Sequence, residues 1–147
     1  MTSDPVILAL SEQVGCYRRL AKLAEIQHDF VQNGQTEQLI QLLESRQRLI
    51  DQISALDRNI APAKQRWTDY LKTLEAADRS QAETMMTETR DLLARITAAD
   101  KDDVMVLQQR KLNMGRQLQQ TMNARQVNRS YVASAYGRAV PRMDVKQ

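Results

Sequence analysis

One stretch, LIQLLESRQRLIDQISALDRNIAP at residues 39–62, decides most of what this chain can fold into. Leu39, Leu42, Arg46, Leu49, Ile53, Leu56 and Ile60 recur in alternating steps of three and four residues without a break. That spacing draws one stripe along a helix, whereas a strand presents a face every second residue. Ile40, Leu43 and Ile50 broaden the face. The stripe covers about three heptads, so it reads as a coiled-coil-like seam that needs another helix to cover it. Arg46 is its one polar member. It can set register or partner choice, or sit at the edge with its charge in water.

The residues before the seam supply the partner. Ser3-Asp4-Pro5 reads as a helix start, with a side-chain oxygen for the unpaired N–H groups and a proline in the first turn. Ile7, Leu10, Val14, Tyr17, Ala21 and Ala24 follow at helical spacing, widened by Leu20, Leu23 and Phe30. Asn33-Gly34 suits a helix C-terminus, because both residues tolerate the left-handed conformation, and Thr36 is placed to cap the next helix. The two helices form an antiparallel hairpin, each roughly 37–45 Å long at 1.5 Å per residue.

Beyond the hairpin, Pro62 ends or kinks the second helix. A shorter helix carries Trp67, Tyr70, Leu71 and Leu74, with Trp67 as its packing anchor. Ser80-Gln81-Ala82-Glu83 has the form of a capping box at a new helix start. From Gln81 to about Arg125 there is no proline, and Gly115 is the only glycine. Met85, Thr89, Leu92, Ile96, Ala99, Val104, Leu107, Met114 and Leu118 mark a face that drifts near residues 98–103. One long helix is expected, with a bend or a break there. After about Asn128 the pattern fails, and Gly137 and Pro141 stop any helix.

Composition agrees. Of 147 residues, 42% are hydrophobic but only 4% aromatic, with four glycines and three prolines. A sandwich or barrel needs many more turn residues. The expected fold is all-α: a long antiparallel helical hairpin plus a long C-terminal helix in an elongated coiled-coil-like bundle. Residues 1–127 form the bundle and residues 128–147 a flexible basic tail.

Residues able to do chemistry are sparse. Glu25-Ile26-Gln27-His28 has the Glu-x-x-His spacing of di-iron bundles, but such a site uses two copies of that motif and His28 is the only histidine. Cys16, the only cysteine, excludes an intrachain disulfide and reads as a buried small hydrophobe. It lies about 18 Å along the helix from His28, too far for a Cys/His pair. The glycines are isolated, so no phosphate-binding loop is present. No enzyme, metal or cofactor is expected. The start, MTSDPVILALSEQ, lacks a basic segment followed by a long apolar one, and no apolar run reaches the ~18 residues of a membrane span. A cytoplasmic protein without membrane insertion is expected.

Charge is distributed unevenly. Residues 108–147 hold eight basic residues against Asp144 alone, whereas residues 1–107 hold 13 basic and 17 acidic ones. The C-terminal part should attract an acidic partner. Apart from Met1, the methionines all fall in the second half: Met85, Met86, Met105, Met114, Met122 and Met143. They serve either as core filler or as an adaptable binding groove.

A small Gln-rich helical chain of this order resembles the FlgN-family flagellar export chaperones. The likeness is carried by Leu-Leu-Glu-x-Arg-Gln-x-Leu-Ile at residues 42–50, similar to that family's second helix, and by NRSYVASAYG at residues 128–137, similar to its C-terminal segment. The resemblance implies a chaperone that binds C-terminal helical segments of hook-filament junction proteins. It would prevent their premature assembly and deliver them to the type III export gate, an export-gate component being a second partner. The family's C-terminal region is implicated in both contacts. On this chain the corresponding surface is Met114, Leu118 and Met122, with Arg125, Arg129 and Arg138 steering an acidic partner and Tyr131 and Tyr136 as aromatic anchors. A sister chaperone for filament or filament-cap subunits is an alternative within the same architecture. Outside it stand a coiled-coil adaptor or self-assembling structural protein, monomeric or homodimeric, and a basic-tailed nucleic-acid-binding protein, which the acidic remainder and the absence of a fold signature disfavour.

Overall fold

The computed structural model describes residues 4–136, and for Arg125 and residues 127–136 the backbone alone. It is all-α, with no strand among the described residues. Four helices follow in order: α1 (Pro5–Gln32), α2 (Thr36–Gln65), α3 (Trp67–Lys72) and α4 (Ala76–Tyr136). The chain divides into two units, residues 1–106 and 107–147.

Local chemistry sets each boundary. Asp4 caps α1: its carboxylate accepts the N–H of Val6 at 2.8 Å and of Ile7 at 3.3 Å, with Pro5 in the first turn. The same carboxylate accepts the Tyr70 hydroxyl at 3.1 Å, which ties α3 to the start of α1. At the other end Gly34 has φ +66°, the Gln35 N–H donates to Phe30 O at 2.9 Å, and the Gly34 N–H to Val31 O at 3.3 Å. That is a Schellman ending, which uses the left-handed residue to satisfy two terminal carbonyls. Because this loop consumes only residues 33–35, α2 restarts one residue earlier than a Thr36 cap allows. Gln35 holds the N-cap position and makes no side-chain cap bond.

Pro62 lies inside α2, which runs on to Gln65 and closes with the Arg66 N–H on Ala63 O at 3.2 Å. The capping box expected at Ser80–Glu83 is not used. α4 starts at Ala76, with the Arg79 N–H on Glu75 O at 2.9 Å, so Ser80 stands exposed within the helix. Arg79 explains the earlier start. Its guanidinium donates to Leu71 O and Leu74 O, both at 3.0 Å, satisfying carbonyls at the end of α3 while its backbone opens α4.

Within residues 1–106 the three long helical stretches share a layered core. One layer joins Ile7, Leu10 and Val14 of α1 to Ile60 of α2 and to Ala82 and Met85 of α4. Trp67 and Tyr70 pack beside it with ring centroids 5.6 Å apart. The next layer joins Cys16 and Leu20 to Leu49, Ile53, Leu92 and Ile96, and Leu56 borders both layers. The α2 seam is therefore covered as its spacing demands. Its proposed broadening residues are not: Ile40, Leu43 and Ile50 are 53%, 46% and 37% exposed.

Toward the hairpin loop the core turns polar. Arg46, only 12% exposed in its side chain, donates from Nη1 and Nη2 to the two oxygens of Asp100 at 2.6 and 2.8 Å, and from Nη1 to Gln27 Oε1 at 2.6 Å. Gln27 Nε2 donates to Asp103 Oδ2 at 2.9 Å, and His28 Nδ1 lies 2.9 Å from Asp103 Oδ1. The Asp100 hydrogen bond is the main reason the Arg46 pKa rises above its ordinary value, outweighing the opposing effect of burial. No buried side-chain nitrogen or oxygen among the described residues lacks a partner. Replacing one member would leave its neighbours unpaired, which costs more than the pair itself contributes.

This cluster corrects the expectation of a drifting face at residues 98–103. α4 is one helix through that segment, and its seam keeps phase as Met85, Thr89, Leu92, Ile96, Ala99 and Asp103, in steps of four and three. Asp103 is 1% exposed, whereas Val104, expected on that face, is 50% exposed. The helix end also moves. α4 continues to Tyr136, so residues 128–136, expected as tail, are helical. Residues 137–147 lie outside the described residues.

Candidate partner-binding surface

Residues 107–136 of α4 belong to the second unit, and the surface expected to hold a partner lies there. Met114 and Leu118, one turn apart, are 68% and 63% exposed, and Leu107, two turns before Met114, is 42% exposed. Met122 is half-buried. Arg125, Arg129, Tyr131 and Tyr136 stand on α4, but their side chains lie outside the described residues, as does all of Arg138. The structure thus brings together the apolar half of the expected site.

It adds residues that the sequence pattern did not single out. Leu112 is 58% exposed and borders a shallow groove of about 620 Å³ with Gln108, Lys111, Gly115, Arg116 and Gln119. A Cβ placed at Gly115 would meet nothing within 4 Å, so that side of the helix is open. The helix supports itself locally. Gln109 Nε2 donates to Asn113 Oδ1 at 3.3 Å, Gln119 Nε2 to Asn123 Oδ1 at 3.2 Å, and Thr121 Oγ1 to Gln117 O at 2.9 Å, all along one face-to-face spacing of four. Charge is one-signed: from Val104 to Tyr136 there are five arginines and lysines and no acidic residue. Leu112 was the legible omission, because it lies one heptad after Met105, itself 67% exposed.

The methionines divide between their two expected uses. Met85 is buried and Met86 packs against the core, whereas Met105 and Met114 are exposed. Glu25 and His28 diverge in their contacts: Arg95 reaches Glu25 at 3.4 Å, while His28 faces Asp103. Among the described residues no three histidine, cysteine or acidic side chains are grouped to hold a metal ion. Cys16 is buried, with Sγ 3.9 Å from Gln52 Oε1. No described helix is long and apolar enough to cross a membrane.

A second depression lies on the hairpin, within the first unit. It is about 760 Å³, floored by Leu23, Ile26 and Leu49 and rimmed by Arg19, Lys22 and Arg48. Leu23 belongs to the widened α1 stripe, whereas Ile26 lies outside it. The available signal was the second line formed by Leu8, Gly15, Lys22 and Ile26, in which Leu8 and Ile26 are 18 residues, five whole turns, apart.

Comparison with family models, curated proteins and solved structures found no match.

Proposed function

We propose that this chain is a cytoplasmic export chaperone. It binds amphipathic helical segments of flagellar hook-filament junction proteins before assembly and passes them to the type III export gate. The observation that supports the reading is the α4 surface: Leu107, Met114 and Leu118 are exposed on one face of a helical stretch without an acidic residue. Apolar side chains grouped in this way on a monomer mark a partner-binding surface. A client helix can lay its apolar stripe on such a face, and an adaptable, methionine-bearing surface allows release as well as capture. The resemblance at residues 42–50 and 128–137 agrees with this reading. Pairing of this surface with the same surface on a second copy is disfavoured, because it would set like charges against each other.

The test is a titration of full-length protein with a labelled synthetic peptide spanning the C-terminal helix of a junction protein. The triple variant Leu112→Asp, Met114→Asp, Leu118→Asp is run beside it, with helicity checked by circular dichroism. At least a tenfold weakening in the variant is expected. Unchanged binding places the client elsewhere, and no binding by either protein removes the chaperone reading. A chain ending at Gln126, which shortens α4 within the helix, separates the apolar face up to Met122 from the basic, tyrosine-bearing residues beyond it in the same assay.

A further inference from the structure

The groove on the hairpin is independent of the α4 surface and carries its own assignment. α1 and α2 enclose two grooves, and α4 fills one of them. On that covered side the charges of α1 have partners on α4: Arg18 meets Glu88 at 2.7 Å, Glu25 meets Arg95 at 3.4 Å, and His28 meets Asp103 at 2.9 Å. On the other side the floor is apolar, with Ile26 41% exposed, and the rim is basic on both helices, through Arg19 and Lys22 of α1 and Arg48 of α2. Arg19 and Lys22 make no ion pair among the described residues, and Arg48 Nη2 reaches only Ser45 Oγ, at 3.2 Å. The one acidic residue in the lining, Asp51, accepts from Gln47 Nε2 at 2.9 Å.

Beyond the groove on the same side of α1, Gly15 leaves open space where a side chain would stand and Leu8 is 49% exposed, with Glu12 as the acidic residue between them.

We infer that this α1–α2 groove is a second docking site, and that it takes an acidic amphipathic helix from a partner protein. Such a helix would lay its apolar stripe over Leu23, Ile26 and Leu49 and set carboxylates against Arg19, Lys22 and Arg48, as α4 sets Glu88 against Arg18 on the covered side. The chain's own segments do not fit the charge. α4 beyond Val104 has no acidic residue, and residues 137–147 add Arg138, Arg142 and Lys146 against Asp144. Two copies joined groove to groove would oppose like charges.

The experiment uses full-length protein and a fluorescein-labelled 21-residue helical peptide with leucines at heptad a and d positions and glutamates flanking them. A second peptide carries lysine in place of each glutamate. Anisotropy titrations compare the wild type, the variant Lys22→Glu/Arg48→Glu, and the α4 control Lys111→Glu/Arg116→Glu, all with matched thermal melts. The acidic peptide is expected to saturate, at least tenfold tighter than the lysine peptide. The hairpin variant should weaken it at least tenfold and the α4 control less than twofold. The assignment is overturned if the two peptides bind alike, or if affinity is lost through the α4 control and not the hairpin variant. It is also overturned if sedimentation shows a wild-type dimer that the hairpin reversal alone dissociates, since the occupant is then a second copy. Loss of junction-peptide binding in the Leu112, Met114 and Leu118 variant bears on the chaperone reading and leaves this groove untouched.

Discussion

Arg46 shows how a polar residue on an apolar seam resolves. Its position in the stripe was readable from spacing, but its partners lie 19 and 54 residues away, on α1 and α4. Asp100 is one-third exposed, so the pair is only partly desolvated. Arg46→Met should destabilise by about 1–3 kcal/mol, chiefly by leaving Asp100 and Gln27 unpaired. The double variant Arg46→Met/Asp100→Leu should recover much of that loss. Urea denaturation of the four-member cycle checks it, and a coupling energy near zero would rule out a structural pair. Tyr70 gives a second prediction. Burial first, and then the hydrogen bond to Asp4, raise its pKa well above the ordinary value of 10.0. The folded chain therefore holds the phenol proton more tightly than the unfolded chain. The associated stability is complete below about pH 10 and declines as pH rises beyond it. Tyr17, raised mainly by burial, adds to the same slope. Melting temperatures from pH 8 to 11.5 should fall less steeply in Tyr70→Phe than in the wild type.

At the scale of elements, starts and stops were legible where one residue type dominates the local energetics. The Asp4 cap and the Gly34 turn follow from their own chemistry, and both are present. Gly34→Ala should destabilise the hairpin by about 1 kcal/mol, because φ +66° crowds a Cβ against its own backbone. Thermal melts check this, and an unchanged midpoint would mean that the loop adopts another turn. The Ser80 box failed for a reason outside its motif. Arg79 uses its side chain on Leu71 O and Leu74 O, and α4 is nucleated four residues upstream of Ser80. Asp103 misled the reading of α4 in the same way, since an aspartate on a seam looks like a phase slip until Gln27 and His28 are seen to face it.

On the scale of the whole molecule, both core layers and the polar cluster draw only on residues up to Asp103. Residues 1–106 should therefore fold without the remainder. A chain ending at Val106 is expected to melt cooperatively within a few degrees of full length, while losing binding to the junction-protein peptide. A non-cooperative melt would show that residues 107–147 contribute to the core. The absence of acidic residues from Val104 to Tyr136 was visible in the sequence, and it is the ground for expecting an acidic partner there.

The sequence by itself determined that this chain is helical, that residues 5–65 form a hairpin, and where its basic charge lies. Those properties depend on spacing within about seven residues and on simple counting. Only the tertiary structure decided that Arg46 is paired and not exposed, that the α4 seam keeps its phase through Asp103, that Ile40, Leu43 and Ile50 face outward, and that the hairpin carries a basic-rimmed groove. Each of those depends on which helix lies beside which. A three-four repeat states that a face will be covered. It does not state what covers it, because burial and ion pairing arise between residues that are tens of positions apart.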